Sequence, residues 1–316
     1  MPLTLDQYAD YLDTRKDIPW PAPPDVKPAK ARPHLESLPN IKAVLWNVYG
    51  SLLTIPLGDL VFEHPQPLVM EIALDKTITE FKMWGSMSRK PGQPAEYMKA
   101  LYANELMLQR GLGTGERYPE VLSERIWEAL IKKLFQKEYT FDTGFFGSLN
   151  EYSKKVAYFF HASLQATAAQ PEAALALKLA ADAGKVQGLL ADGQCFTIVL
   201  LARGLRQQEA DLNLSKLLPL TLRTLSCDVK ARKPSDTIFR HALAALAEKG
   251  IRPADVLHVG SSIPRDIAPA RKMGMCTALY VGDRISSDAT PEQLKDPGQR
   301  PDVLLTELGQ IAQVVM

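Results

Sequence analysis

Four segments of the chain place polar or charged side chains directly after a run of apolar residues. In chain order they span residues 45–52, 189–193, 231–235 and 259–266. Their ammonium, hydroxyl and backbone N–H groups can together bind a phosphate or another small anion. The residues that supply these groups are Lys233, Gly50, Ser51, Ser261 and Ser262. The alternative is that Lys233 only forms an ion pair with Asp266 and joins two loops.

Strands must precede these segments for their polar residues to meet. Residues 41–48 form a near-continuous apolar run between Pro39 and Gly50, which is typical of a strand buried on both faces of a parallel sheet. Further strands are predicted at 185–190, 255–260, 276–281 and 302–305, and helices at 172–183, 235–249 and 266–273. This alternation predicts an α/β fold with a doubly wound parallel sheet, whose chemistry lies at the carboxyl ends of the strands.

Composition and charge exclude several classes of function. The chain has 316 residues, with 37 Lys and Arg against 36 Asp and Glu, and a formal net charge of +1. This balance gives no basic surface for a nucleic-acid partner and no polybasic anchor for a membrane. No apolar run approaches the ~20 residues that a bilayer span needs. Three scattered cysteines do not suit a disulfide framework or a zinc site. With no apolar signal segment at the start, we expect a cytoplasmic protein.

Proline content and helical patterning divide the chain into three parts. Eight of the 23 prolines lie in residues 1–40, so we expect residues 1–38 to form an extended arm without a helix. Tyr11 and Trp20 predict that this arm packs against the protein. Residues 61–182 carry helical patterns, for example at 94–111 and 118–137. The remaining stretches, 39–60 and 183–316, are predicted to form the α/β core.

The four polar segments resemble, in their order, the motif set of the haloacid dehalogenase (HAD) superfamily. The family motifs are D-x-D-G-[ST]-L after a strand, a strand ending in Ser or Thr, K-P, and G-D-x(4)-D. The resemblance covers residues 41–60 and 184–306. It implies a three-layer α/β/α core with a helical cap inserted at 61–182. It also implies Mg²⁺-dependent phosphatase chemistry through an aspartyl-phosphate.

The sequence departs from this pattern at most residues that carry the family's reaction. Asn47 stands at the position of the nucleophilic Asp, and Tyr49 at that of the general acid/base. Ala191 replaces a hydroxyl residue, and Ser261 replaces a Mg²⁺-binding Asp. An amide is a poor nucleophile and carries no charge for a cation. A phenol with a pKa of about 10 is a poor proton shuttle near neutrality. Loss of a covalent nucleophile alone lowers a rate by ~10⁴–10⁶.

Only Lys233 and Asp266 retain the family's residue types, and Asp266 is the sole remaining candidate for a metal ligand. We therefore assign no catalytic role to the motif positions and expect no cofactor. The leading hypothesis is a HAD-like protein that has lost phosphatase and dehalogenase activity. In this hypothesis it binds a small anion or a protein partner in the cleft between cap and core.

Two alternatives stay open from the sequence. The first is an active hydrolase of small phosphorylated substrates with an unusual mechanism and Mg²⁺ as its cofactor. There Asp192 or Asp266 acts as the base and Lys233 as the electrophile. The second is an interaction module whose N-terminal arm docks a second subunit. His64 and His161 in the cap are further candidates for a catalytic role that the sequence alone does not place.

Several other polar residues near strand ends are interpreted as structural. The Asp-Gly pair that begins at Asp192 is typical of a turn. His258 lies within a predicted strand and is typical of a buried, hydrogen-bonded histidine. Cys195 has no paired histidine at a suitable spacing, which favours a buried structural thiol. Trp46 is expected to be a core residue.

Overall fold

A parallel β-sheet forms the centre of the protein. The computed structural model describes residues 1–87, 94–111 and 115–316. These residues form eight strands: β1 (Ala43–Trp46), β2 (Leu53–Thr54), β3 (Ala168–Ala169), β4 (Val186–Ala191), β5 (Arg223–Leu225), β6 (Val256–Gly260), β7 (Cys276–Tyr280) and β8 (Val303–Leu305). Six of them pair in parallel in the order β5-β4-β1-β6-β7-β8. The predicted doubly wound parallel sheet is confirmed.

Strand β1 is apolar on both faces, which explains its place inside the sheet. Val44 and Trp46 point into one apolar cluster, and Ala43 and Leu45 point into another on the opposite face. The indole N–H of Trp46 donates to Gln187 Oε1 in β4 at 2.9 Å, so its one polar group is satisfied in the core. Trp46 is therefore a core residue, as predicted.

Helices cover both faces of the sheet and form a separate group after β2. They are α1 (Leu5–Thr14), α2 (Pro67–Glu80), α3 (Pro94–Arg110), α4 (Ser123–Phe135), α5 (Thr143–Phe146), α6 (Leu149–Leu164), α7 (Ala173–Asp182), α8 (Thr197–Gln208), α9 (Leu214–Leu217), α10 (Ser226–Val229), α11 (Asp236–Ala247), α12 (Ala268–Lys272), α13 (Pro291–Lys295) and α14 (Ile311–Val315). A π-helical turn, Ile263–Ile267, precedes α12. Within the described residues no helix is long and apolar enough to cross a membrane.

The helices α2–α6 pack into an apolar core of their own, whereas α7 packs with the sheet, and we refer to residues 61–165 as the cap. The rings of Tyr102, Trp127 and Phe160 lie 5.0–5.7 Å apart at its centre. Helix α4 begins at Ser123 and not at the predicted 118, because residues 118–120 are extended and pair with the core. The domain boundaries given above remain predictions.

The chain enters and leaves the cap through two short antiparallel strands. Leu53 of β2 lies opposite Ala169 of β3. Gln165 joins the same two connections, because its amide donates to the carbonyls of Pro56 and Asp59 at 2.8 and 2.9 Å. Its Oε1 also accepts from the Val61 N–H at 2.8 Å. The two ends of the cap are thus held side by side next to the sheet.

The expectation that the arm lacks a helix is wrong for residues 5–14, which form α1. The Thr4 hydroxyl accepts from the Gln7 N–H, and the Gln7 side chain accepts from the Thr4 N–H. This reciprocal cap starts the helix, and Tyr8 and Leu12 form its buried face. The expectation that Trp20 packs against the protein is confirmed.

Candidate functional site

The polar segments meet at the carboxyl ends of β1, β4 and β6. Asn47 directly follows β1, Ala191 ends β4, and Ser261 directly follows β6. Lys233 reaches them from the loop before α11 and is only 5% exposed. All six motif positions are buried: Asn47, Tyr49, Ala191, Lys233, Ser261 and Asp266. The fold therefore brings the predicted residues to one edge of the sheet, as parallel strands require.

The Asp266 carboxylate is bound through both of its oxygens. Lys233 Nζ donates to Oδ1 in a buried ion pair, and His258 Nε2 lies 3.4 Å from the same oxygen. The N–H groups of Ser261 and Ser262 donate to Oδ2 at 3.0 Å each. Burial raises the pKa of Asp266, but the Lys233 ammonium and His258 outweigh burial and hold that pKa well below its usual range. The carboxylate is therefore ionised and fully hydrogen-bonded.

Asn47 uses both ends of its amide. Its Oδ1 accepts from Lys233 Nζ at 2.9 Å, and its Nδ2 donates to the Tyr49 carbonyl at 2.7 Å. The opposite orientation of the amide would place its NH₂ group against the ammonium. A carboxylate here would place an oxygen against the Tyr49 carbonyl oxygen, with no proton between them. The local geometry thus suits an amide and disfavours an aspartate.

The phenol of Tyr49 is hydrogen-bonded to a residue outside the ion pair. Its hydroxyl lies 3.0 Å from Thr197 Oγ1 at the start of α8. Burial raises the pKa of Tyr49 well above the usual value, although the Thr197 hydrogen bond partly opposes this. The phenol therefore stays protonated near neutral pH. Ala191, the motif position at the end of β4, offers no polar side chain.

The N–H groups expected to bind an anion are used within the protein. Those of Gly50 and Ser51 donate to carbonyls of their own turn at 2.7 and 3.2 Å. Those of Ser261 and Ser262 donate to Asp266, as described above. The Ser262 hydroxyl donates to Asp288 Oδ2 at 2.6 Å. The Ser51 hydroxyl is buried with no partner among the described residues. The predicted anion-binding residues are close together, but most of their donors already have acceptors.

Two arginines that the sequence analysis did not single out, Arg232 and Arg265, adjoin the buried pair in the chain and extend to acidic residues of the cap and its linker. Arg265 donates to the Asp59 carboxylate in the segment that leads into the cap. Arg232 Nη2 lies 4.0 Å from the same carboxylate oxygen, and Arg232 Nε lies 3.7 Å from Glu120 Oε2. Both distances exceed a normal hydrogen bond. The side chains of Arg232 and Arg265 are 35% and 30% exposed, so they reach solvent.

One sequence signal for these arginines was present. Arg232 directly precedes Lys233 and Arg265 directly precedes Asp266, so each is next to a residue that keeps the family's type. Their acidic partners, Asp59 and Glu120, carry no comparable signal, because they lie in a linker and in the cap.

The cap segment 116–120 lies along the loop that carries Arg232 and Lys233. Two backbone hydrogen bonds of 2.8 and 3.2 Å join this segment to residues 230–232. The Glu116 carboxylate accepts from the hydroxyls of Ser235 and Thr237, at 2.9 and 2.7 Å, where α11 begins. We call this the cap–core contact. It holds the cap against the core beside the motif residues.

Glu120 is buried within the cap–core contact. The Ser226 hydroxyl donates to Glu120 Oε2 at 2.5 Å, and the Glu120 side chain is 3% exposed. Burial raises the pKa of Glu120 to about 7, although Arg232 and Ser226 act in the opposite direction. The carboxyl therefore changes its ionisation near neutral pH.

Asp192 lies beside Lys233 and has one free oxygen. Its Oδ1 accepts from the backbone N–H of Lys233 at 2.8 Å, 41 residues further along the chain, so the carboxylate links two loops and does not close the predicted Asp-Gly turn. Its Oδ2 is buried and has no partner among the described residues. Burial raises the pKa of Asp192, with Lys233 and Arg232 opposing.

The cap histidines do not reach the ion pair. His161 is buried between Phe62 and Phe196, with ring centroids 5.5 and 4.9 Å away, and burial lowers its pKa to about 3. Neither of its nitrogens has a partner among the described residues. His64 is half-buried near the start of the cap, where its Nδ1 accepts from the Gln66 N–H.

His258 and Cys195 are the two residues near strand ends that were interpreted above as a buried histidine and a structural thiol. His258 is buried in β6, and its Nδ1 lies 3.1 Å from the Leu45 carbonyl oxygen. Burial raises the pKa of the Cys195 thiol well above its usual value, which makes the thiol a poor nucleophile. Throughout the part of the chain that the structure describes, no group of three His, Cys, Asp or Glu is arranged to hold a metal ion.

Comparisons with known proteins agree with the motif resemblance. Residues 230–311, which contain the third and fourth polar segments, match the HAD-hydrolase-like family model, and this confirms the resemblance for that part. No curated protein matches the chain.

Several solved structures resemble the fold at low sequence identity. A HAD phosphatase from Thermococcus onnurineus is 18% identical with a TM-score of 0.45, covering 86% of this chain and 96% of its own. A predicted phosphoglycolate phosphatase from Haemophilus somnus is 16% identical with a TM-score of 0.45, covering 86% and 96%. The L-2-haloacid dehalogenase from Xanthobacter autotrophicus is 19% identical with a TM-score of 0.43, covering 86% and 97%.

Replacing Asp266 with Asn should destabilise the protein by about 3–5 kcal/mol at pH 7, because the Lys233 ammonium then stays buried without its counter-charge. Urea unfolding measures this loss. The folded-state pKa of Asp266 is depressed. Its contribution is therefore fully present above the unfolded carboxyl pKa of about 4 and is lost as the pH falls toward the lower folded-state value. The difference between the wild-type protein and the variant should shrink accordingly.

The matched control is Asp236→Asn, which removes the carboxylate partner of Lys272 and Arg240 on the surface. Its effect should be much smaller because exposed ion pairs contribute little. Equal losses for the two variants would contradict a special role for the buried pair.

Replacing Glu120 with Gln should flatten the pH dependence of stability. The pKa of Glu120 rises from 4.5 to about 7 on folding. The unfolded chain therefore releases this proton first, and the wild-type protein loses stability as the pH rises from 4.5 to about 7. The variant should gain in melting temperature relative to wild type at about pH 8, and less at about pH 5.

The control for this experiment is Glu128→Gln. Lys132 and Arg125 lower the pKa of Glu128, so its loss changes stability only in the acid range, at or below the usual carboxyl pKa. Parallel profiles of Glu120→Gln and the wild-type protein between about pH 5 and pH 8 would show that Glu120 is not the titrating group.

Proposed function

We propose that this protein is a HAD-like protein that does not hydrolyse phosphate esters or halogenated acids. We propose further that it binds a small anion between cap and core, at Arg232 and Arg265. We call the place formed by these two arginines and their acidic neighbours Asp59 and Glu120 the mouth of the cleft. The observation that carries the first part is the geometry of Asn47, whose amide accepts from Lys233 and donates to the Tyr49 carbonyl.

The chemistry of the first motif supports the loss of hydrolysis. The family's route needs a carboxylate that attacks the substrate and a second carboxylate that moves a proton. An amide does not form the covalent intermediate. The raised pKa of Tyr49 keeps the phenol protonated near neutral pH, which makes it a poor general base. This chain therefore offers neither group at the positions where the family has them.

The residues present do not fit the Mg²⁺ ion that the resemblance implies. Mg²⁺ is bound in proteins through carboxylates and other oxygen ligands in a strict octahedral arrangement. Asn47 and Ser261 are neutral, and the Asn47 oxygen is taken by Lys233. Both oxygens of Asp266 accept hydrogen bonds from the protein. We assign no reaction step to a metal.

The charges at the mouth of the cleft support anion binding. Arg232 and Arg265 face one shared carboxylate, that of Asp59, and Arg232 lies beyond hydrogen-bond distance of both Asp59 and Glu120. Their guanidinium groups thus keep donors for a carboxylate or phosphate ligand. Lys233 is neutralised by Asp266 and the Ser262 hydroxyl donates to Asp288, so the two arginines are the groups that we propose bind the anion.

Hydrolysis is tested with a small aryl phosphate and Mg²⁺. The native chain should release no phosphate. The fourfold variant Asn47→Asp, Tyr49→Asp, Ala191→Ser and Ser261→Asp should release it at least ~10³-fold faster than the uncatalysed background, because it supplies the nucleophile, acid and ligands of the family's reaction. The matched control is the threefold variant that keeps Asn47 and should stay inactive. Turnover by the native chain would instead support a hydrolase in which Asp192 or Asp266 is the base.

Anion binding is tested by calorimetry with inorganic phosphate. Replacing either Arg232 or Arg265 with Gln should weaken binding by about 10-fold or more, since charge-assisted hydrogen bonds are among the strongest available. The control is Arg240→Gln on α11, whose side chain is 71% exposed and pairs with Asp236. Unchanged affinity in both mouth variants would place the anion elsewhere.

A further inference from the structure

We propose that the N-terminal arm, residues 1–38, acts as a strap that fixes the cap in its closed position over the core. The arm contacts both parts of the protein at once. The cleft can therefore open only if the arm first leaves one of them. This proposal is independent of anion binding and of the loss of hydrolysis.

The first half of the arm belongs to the cap's apolar core. The ring of Tyr8 in α1 packs edge-to-face on Phe146 at 5.9 Å. Trp20 packs in the same way on Phe159 of α6 at 5.2 Å. Lys76 of α2 also donates to the carbonyl of Pro19. Because aromatic contacts of this kind add to the burial of apolar area, this half is firmly attached to the cap.

Helix α1 is also attached to the core. Arg203 of α8 donates to Asp10 at 3.0 Å and forms a second ion pair with Asp13. Both aspartates lie on α1, three residues apart and therefore on neighbouring positions of the helix surface. Helix α1 thus crosses the boundary between cap and core.

The second half of the arm is bound to the core by its backbone. The backbone N–H of Arg284 donates to the Lys27 carbonyl at 2.8 Å, and the Ala29 N–H donates to the Val281 carbonyl at 3.1 Å. His34 exchanges two backbone hydrogen bonds with Leu304 of β8, at 3.0 and 2.9 Å. These bonds attach residues 27–34 to the end of the sheet that β7 and β8 form.

The connection between the two halves has little slack. Residues 21–26 lie between the cap-bound Trp20 and the core-bound residue 27, and three of these six are prolines. Prolines favour an extended backbone with a rise of ~3.1 Å per residue, near the ~3.3–3.6 Å that a fully stretched chain reaches. The arm therefore cannot lengthen much to follow an opening cap.

A cavity under the arm marks where it crosses the boundary. It has a volume of about 260 Å³ and is lined by residues of all three parts. Trp20 and Pro21 of the arm form one wall, Tyr158 and Gln165 of the cap another, and Leu200 and Gly204 of the core a third. The arm thus spans a gap that the cap and core leave between them.

Hydrogen–deuterium exchange of the full-length protein tests the proposal. The double variant Trp20→Ala and Arg203→Gln removes one contact of the arm with the cap and the ion pairs of α1 with the core, and so weakens the attachment of the arm to both. Peptides from the cap–core contact, residues 115–122 and 226–235, should then exchange roughly 3–10-fold faster, while α11 exchanges as in the wild-type protein. The single variant Arg203→Gln should give the same pattern with a smaller change, and it serves if the double variant does not fold.

Two further variants sharpen this experiment. Lys178→Gln removes an ion pair with Glu209 that lies wholly within the core, and it should leave the cap–core contact unchanged. The charge exchange Arg203→Asp with Asp13→Arg should restore slow exchange. Faster exchange confined to α1, or an equal increase that includes α11, would overturn the proposal. The first result would make the arm an appendage and the second a general support of the fold.

Discussion

The buried ion pair of Lys233 and Asp266 is the interaction on which the arrangement of the site depends. It joins two loops that follow different strands, and Asp266 also fixes the backbone of residues 261 and 262. Gly260 is required next to it, because a Cβ at that residue would lie 2.3 Å from the Asp266 Cβ. Either charge alone would be costly in this buried place. The two residues therefore have a structural role that needs no reaction, and neither is replaceable alone.

Around this pair, neutral groups satisfy one another's hydrogen bonds. The amide of Asn47 bridges the ammonium and a main-chain carbonyl, and the phenol of Tyr49 bonds to Thr197. Neither group places an unpaired charge in the core, where such a charge would be costly. The carboxyl ends of these strands are therefore buried and hydrogen-bonded like the interior of the protein. The charged groups that reach solvent here are those of Arg232 and Arg265.

Much of the fold was predictable from the sequence, because buried strands and capped helices leave local patterns. The strand before Asn47 and the helix after Ser235 are examples. Helix α1 was missed because the proline content of the arm outweighed a local signal, the Thr4–Gln7 cap. The mouth of the cleft was not predictable, since its four charged residues come from segments far apart in the chain. Whether Asp266 or a ligand takes the donors of Ser261 and Ser262 depends on distances of an ångström, which spacing does not determine.

The pairing of His34 with Leu304 has a consequence for self-association. Strand β8 is the last strand of the sheet, and an uncovered edge strand offers its free N–H and C=O groups to another chain. His34 occupies both groups of Leu304 at the middle of β8. The arm thus blocks strand addition at this edge. Detachment of the arm would expose a template for edge-to-edge pairing with another chain, so the arm protects this edge of the sheet.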